Sequence, residues 1–358
     1  MIKKQCFTNE FIEERAGTNI HRKRTYEKVV HAFYLLERLV RENIDFIFKG
    51  GTSLMLLLNE FNRFSVDIDI LMGKGQETNI AEIIMGYADE VFVKIEEDKR
   101  KPADIIKKHF KFYYNSIYQN TDNEMPYVLL DIVFDDFKYS NLQSVAIESH
   151  FVKTTNPLLH VKIPSIDEML GDKLTAFAPN TIGILYRRTN QFYSKHVEII
   201  KQLYDVSKLY DRMGNIEIVK ETYHNVADAQ IRNRGLSLTH DECLKDSIEA
   251  CKLLLTEGKT GGSADDYSIL KKGYEGFKNF IVHDFKFQEL LVMAAKVYIL
   301  CIHILYGKLG DEEAKPVNTF IGKKYKYIRQ NIGLDLYEQL MKACEEEIKH
   351  VKVLIPVS

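Results

Sequence analysis

The chain has little net charge, no closely spaced cysteines and no apolar run near its start, and each lack removes a class of function. Lys and Arg total 49 against 51 Asp and Glu, a formal net charge of −2. No whole-chain field therefore draws nucleic acid, and any such contact has to come from a local basic patch. The five cysteines, Cys6, Cys243, Cys251, Cys301 and Cys344, are scattered, with no pair at the spacing of a zinc ligand set. Free thiols in a reducing cytoplasm are the simplest reading. The opening MIKKQCFTNEFIEER lacks the apolar stretch of a secretory signal. The most apolar segment, 287–305, carries Glu289 and Lys296 and is barely long enough to span a bilayer, so a buried helix is expected there and no membrane partner. There is no internal repeat and no low-complexity tract.

What is present is enough for real cores. The chain has 358 residues and is 45% hydrophobic, too long for one ordinary core, so two domains are expected. Up to residue 164 the pattern is mixed. Val29, Phe33, Leu36 and Val40 form one apolar face of a helix over 22–42. Strands are predicted at 46–48, 65–71, 91–95, 109–116 and 127–134, and near 144–149 and 158–163, with helices after Gly51 and over 77–88. Beyond Pro164 helical periodicity dominates. Ser165 and Glu168 make a Ser-x-x-Glu capping box, and helices are predicted over 165–177, 192–212, 214–234, 240–256, 265–282, 286–307 and 334–348. The expected architecture is α+β: a first domain, 1–164, with a mixed sheet and flanking helices, and a helical second domain, 165–358.

The informative stretch is FKGGTSLMLLLNEFNRFSVDIDIL, residues 48–71. A strand points alternate residues to opposite faces, so Asp67 and Asp69 share one. Two carboxylates that close repel, and a divalent cation resolves the conflict. Carboxylate oxygens suit Mg²⁺, which takes its remaining ligands from water and substrate phosphates. Gly50-Gly51 joins a strand to a helix. Without Cβ atoms the backbone can approach a ligand closely, and the new helix offers unpaired N–H groups to phosphate. Thr52 and Ser53 can add hydroxyl donors. A two-metal site wants a third carboxylate from a neighbouring strand, and YVLLDIVF supplies Asp131 inside an apolar run where an unpaired charge is expensive. Asp131 could also accept the proton of an attacking hydroxyl. Arg63, just before the aspartates, can contact nucleotide or pair with Asp67 or Glu60.

Taken together, Gly-Gly-Thr-Ser, a helix, Asp-Ile-Asp and a later strand aspartate resemble the nucleotidyltransferase superfamily typified by DNA polymerase β. More narrowly, KGGTSLMLL with RFSVDIDIL, then PSIDEMLGDKLTAFAPNTIG and EIIKQLYDVSKL, resemble the AbiEii/AbiGii toxin family over about residues 45–210. The resemblance places Gly50, Gly51, Thr52 and Ser53 at the nucleotide phosphates and Asp67 and Asp69 at the metal. It makes Lys173 the lysine of the Lys-Leu-x-Ala block and Asp205 the aspartate of the Leu-Tyr-Asp block. Many members carry an acidic residue just before that block, where this chain has Lys201-Gln202. An ammonium on Lys173 suits phosphate charge, and a bond to Asp172 or Asp205 is the alternative.

The resemblance implies NTP as substrate, one or two Mg²⁺ ions, release of pyrophosphate, an RNA acceptor (tRNA 3′ ends in some members) and a cognate antitoxin protein as partner. Local charge agrees: 99–111 holds six basic residues against one acid, and 323–330 interleaves Lys323, Lys324, Lys326 and Arg329 with Tyr325 and Tyr327. Two other readings stand beside it: the same chemistry on a small molecule or protein hydroxyl, and a non-catalytic module that binds RNA or a partner. GKT at 258–260 is no P-loop, because Leu253 stands where that motif needs glycine.

Overall fold

The computed structural model describes residues 1–58, 61–99, 106–118, 124–137, 139–187, 195–314 and 322–353. The chain divides into two compact units. One comprises residues 1–165 together with 279–283, the other 166–278 and 284–358.

In the first unit, α1 (Asn9–Ala16) and α2 (Ile20–Arg41) precede β1 (Ile47–Lys49), α3 (Gly50–Leu57), β2 (Ile68–Met72) and α4 (Glu77–Met85). Four further strands complete the main sheets: β3 (Lys94–Glu97), β4 (Ile106–Tyr113), β5 (Tyr127–Phe134) and β6 (Leu142–Ala146), and β7 (His160–Pro164) closes the unit. Five strands form one sheet in the order β1-β2-β5-β4-β3, and β6 pairs with β7 separately. The sheet is mixed: β2 and β5 run parallel, while every other neighbour is antiparallel. One face is closed. Phe48, Ile68, Ile70, Val128, Leu130, Ile132, Phe134, Phe110 and Phe112 are fully buried, and α2 packs against β2 and β5. Each such side chain contributes about 1.5–3 kcal/mol. Val29, Phe33 and Leu36 are buried on α2 as the periodicity predicts; Val40 is only partly covered. The other face of β5, with Tyr127, Leu129, Asp131 and Val133, stays half open.

Residues 279–283 return to this unit from far along the chain. Phe64 N–H donates to Phe280 O at 2.8 Å and Val282 N–H to Asn62 O at 3.0 Å, around an antiparallel bridge between Arg63 and Ile281. The segment leading into β2 is pinned by these bonds.

On α2, His31 is buried, its Nδ1–H donating to Glu27 O at 2.8 Å and its ring stacked 3.7 Å from that of Tyr114. Burial lowers its pKa to about 4. The folded state therefore resists a proton that the unfolded state accepts near pH 6.5, and stability falls as pH drops from about 6.5 to about 4. Burial raises the Glu27 carboxyl, which acts in the opposite sense at lower pH, so the substitution isolates the histidine. His31→Gln should lose about 2 kcal/mol less stability than wild type between pH 7.5 and pH 5, measured by urea unfolding at both. Equal losses in the two proteins would remove this role.

The second unit is helical: α5 (Ile166–Ala176), α6 (His196–Tyr210), α7 (Ile216–Asn233), α8 (His240–Leu255), α9 (Ala264–Phe277), α10 (Phe287–Tyr306), α11 (Tyr325–Ile332) and α12 (Leu334–Val353). Helices α5 and α7 approach so closely at Gly171 that a Cβ there would lie 2.6 Å from Val219 O. Helix α10 packs against α6, α8, α11 and α12. Among the described residues it is the one helix long and apolar enough to cross a membrane, and 67% of its most apolar window is buried inside the protein. All five cysteines are buried free thiols.

Candidate active site

The half-open face of the sheet carries one polar row. Lys49 of β1 pairs in register with Asp69 of β2, Asp69 with Asp131 of β5, and Asp131 with His109 of β4. Residues directly opposite each other project to the same face, so ammonium, two carboxylates and imidazole lie side by side across four strands. Neighbouring strands are about 4.8 Å apart, which sets the spacing of the two acids. His109 Nδ1 stands 2.5 Å from Asp131 Oδ1, so with Asp131 ionised the ring donates Nδ1–H and fixes that carboxylate. Lys49 Nζ donates to the Tyr139 hydroxyl at 3.3 Å.

Asp67 lies one residue before β2. Its backbone oxygen accepts from Thr52 Oγ1 at 2.5 Å, and its Oδ1 is 3.9 Å from Lys28 Nζ. Burial lowers the Lys28 pKa, and Asp67 partly restores it. The glycine turn adjoins the row. Gly50 has φ +79°, and a Cβ on it would fall 2.0 Å from Asp69 Oδ2, so only a bare residue lets that carboxylate lie against the turn at the start of α3. These donors fit a hard divalent cation: carboxylate oxygens brought together on adjacent strands beside the turn that opens α3.

Three residues around the turn are buried. Thr52 and Ser53 are fully buried, and their hydroxyls donate to Asp67 O and Gly50 O (2.9 Å). They brace the turn, and the protons expected to face a ligand are already given to the main chain. Arg63 is 3% exposed, and its Nη2 lies 2.5 Å from where a Gly51 Cβ would project, while Nη1 donates to Phe64 O at 3.0 Å. The guanidinium supports the turn from beneath; the sequence left open whether it contacts nucleotide or pairs with Asp67 or Glu60. Glu60, its other candidate partner, lies outside the described residues.

In the helical unit, Lys173 of α5 and Asp205 of α6 are brought together. Lys173 Nζ donates to Asp205 Oδ2 at 3.1 Å and reaches Gln202 Oε1 at 3.4 Å. Asp205 is fully buried, and Lys173 keeps 12% of its side chain exposed. The aspartate positions the ammonium, and Gln202 shares in this.

Sequence reasoning missed His109 and Lys49. Lys49 directly precedes the glycines and was within reach of that motif. His109 is recognisable only once β4 is registered against β5. Of the two basic runs, 100–105 and the side chain of Lys323 lie outside the described residues. Residues 106–111 of the first run are strand, with Lys107 and Lys111 on the Asp131 face and Lys108 on the other. In the second, Lys324, Tyr325, Lys326 and Tyr327 border a hollow of about 440 Å³.

A mixed sheet with a glycine turn feeding a helix, and strand carboxylates beside that turn, defines a nucleotidyltransferase. The chain belongs to the nucleotidyl transferase AbiEii toxin family of type IV toxin–antitoxin systems, whose family model matches residues 34–283. Membership brings an NTP substrate, a divalent metal and an antitoxin partner as family properties. No curated protein matches the sequence. Similar solved structures include a protein from H. pylori described as a nucleotidyltransferase (16% identity, 78% of this chain and 92% of that chain covered, TM-score 0.42). Another is JHP933 from Helicobacter pylori (15%, 77% and 96%, 0.32). A third is an antigenic nucleotidyltransferase-like protein from Paracoccidioides brasiliensis (14%, 58% and 91%, 0.34).

Proposed function

We propose that this protein is a growth-arresting toxin of the cytoplasm that moves an NMP from an NTP to RNA, with a tRNA 3′ end as acceptor and Mg²⁺ as the metal. The observation that supports it most is the register of Asp69 and Asp131 beside the bare Gly50. Asp67, Asp69 and Asp131 would hold the cation, which when bound neutralises triphosphate charge and eases departure of pyrophosphate. The backbone at Gly50 and Gly51, braced by Thr52 and Ser53, receives phosphate oxygens. Lys173, at the lysine position of the family's Lys-Leu-x-Ala block, is held by Asp205, and its ammonium suits phosphate charge. The acceptor hydroxyl oxygen forms a bond to the α-phosphorus, the bond from that phosphorus to the β-phosphate oxygen breaks, and pyrophosphate leaves. The hydroxyl proton passes to the Asp131 carboxylate, which His109 keeps oriented.

The test incubates purified protein with Mg²⁺, total tRNA and each NTP labelled at the α-phosphate. Label should enter a tRNA band from one NTP above the others, and no label should enter when the γ-phosphate carries it. Label in protein or in small molecules would move the acceptor to the alternative class. Absence of transfer to any acceptor would overturn the reading.

A further inference from the structure

A second cluster of metal-ligating side chains lies in the helical unit and takes no part in the chemistry above. His224 lies midway along α7, His240 opens α8 and Asp241 follows it. One donor atom from each falls within 4.8 Å of the other two. We propose that His224, His240 and Asp241 bind a transition-metal cation, with Zn²⁺ as the natural occupant.

Several independent features of the cluster suit that ligand. Asp228, one turn beyond His224 on α7, places Oδ1 2.9 Å from His240 Nδ1. Its ionised carboxylate holds the proton on Nδ1 and leaves the lone pair on Nε2, the arrangement that orients metal-bound histidines in general. His240 Nε2 in turn stands 3.7 Å from Asp241 Oδ1. That is too long for a hydrogen bond and near the edge of about 3.3 Å that a tetrahedron with zinc–ligand bonds of about 2.05 Å requires. The two imidazole rings stack with centroids 4.0 Å apart and planes 26° from parallel, so the His224 ring turns about its Cβ–Cγ bond to share an ion with His240. Two nitrogens and one oxygen favour Zn²⁺ over the hard cations.

The scaffold holds His240 and Asp241 in place before any ion arrives. Tyr223 is fully buried, and its hydroxyl donates to His240 O at 3.0 Å. Thr239 and Glu242 form a reciprocal capping box at the start of α8. The positive end of the α8 dipole opposes a cation there, and the carboxylates of Asp228 and Asp241 offset it. The cluster is half exposed, with 31% of the His240 side chain and 54% of that of Asp241 open to solvent. An ion can therefore enter, and a fourth position remains for water.

The test uses the full chain, stripped with chelator and kept in excess Mg²⁺ so that hard-cation sites are filled. Co²⁺ serves as the visible probe and Zn²⁺ as its competitor. One equivalent of Co²⁺ should bind with the absorption of a four-coordinate site and be displaced by Zn²⁺. His224→Ala and His240→Ala should each weaken binding on the order of 100-fold or more, and Asp228→Asn by roughly 10–100-fold. Asp69→Asn should leave it unchanged. Circular dichroism checks the fold of each variant, and the Asp228→Asn arm keeps the test decisive if a histidine variant unfolds. Co²⁺ binding that survives the histidine substitutions in a folded protein, that is untouched by Asp228→Asn, or that disappears with Asp69→Asn would overturn the assignment.

Discussion

Asp69→Asn is expected to reduce nucleotidyl transfer about 10³-fold, the scale of losing one group that answers developing charge in a transition state, while leaving the fold intact. Asp69 sits in the middle of the polar row, flanked by Lys49 on one strand and Asp131 on the other. Asparagine keeps the shape and removes the charge. Without cation, two carboxylates about 5 Å apart repel by about 3 kcal/mol at an effective dielectric constant of about 20, and the neighbouring lysines return part of that. The variant should therefore melt at or above wild type when divalent ions are absent. Added Mg²⁺ should raise the melting temperature of wild type and barely move the variant, because binding to the folded state alone is what stabilises. Transfer at the wild-type rate, or an equal Mg²⁺-dependent rise in both proteins, would show that Asp69 holds no metal.

How much of this was legible before the structure depends on whether the feature is local. YVLLDIVF is rich in β-branched and aromatic residues, and β5 occupies Tyr127–Phe134 as that composition predicts. The helix after the glycines and the helical character beyond Pro164 were readable for the same reason. Register was not. The strand expected at 109–116 forms over Ile106–Tyr113, and its register against β5 sets His109 opposite Asp131. The strand expected to hold both Asp67 and Asp69 begins at Ile68, so Asp67 approaches from the preceding segment. That segment is fixed by residues 279–283, a contact more than two hundred positions away that no local periodicity can announce. Arg63 stayed undecided for a related reason: an arginine beside an acidic motif can meet phosphate or a carboxylate, and its burial behind Gly51 follows from the same return of the chain. Helix α11 was hidden inside a run read for its lysines and tyrosines, and α1 inside a segment searched only for a signal peptide.

Gly50→Ala separates the geometry of the turn from the identity of the acids. Alanine at φ +79° costs about 1–2 kcal/mol in backbone strain alone. Its methyl group would also arrive 2.0 Å from Asp69 Oδ2 and 2.8 Å from Asp69 Cβ. The turn and β2 cannot both keep their places. Either the aspartate rotates out of the row or α3 lifts from the sheet, and in each case carboxylate and phosphate cradle part. The expected result is a loss of transfer of at least 100-fold, because misplacement of reacting groups by about 1 Å has that effect, with a stability loss of about 2 kcal/mol. Gly17→Ala is the matched control. Gly17 has φ +70° with nothing within 4 Å of its missing Cβ, so it carries the strain without the collision. It should lose a similar share of stability to strain, measured by urea unfolding, and keep its transfer rate. If both variants lose activity in proportion to stability, the glycine at position 50 matters only as a flexible link. If Gly50→Ala transfers normally, Asp69 does not depend on the turn for its position. A collapse of activity confined to Gly50→Ala, with Mg²⁺-dependent stabilisation lost alongside it, would tie the missing Cβ to the placement of the carboxylate.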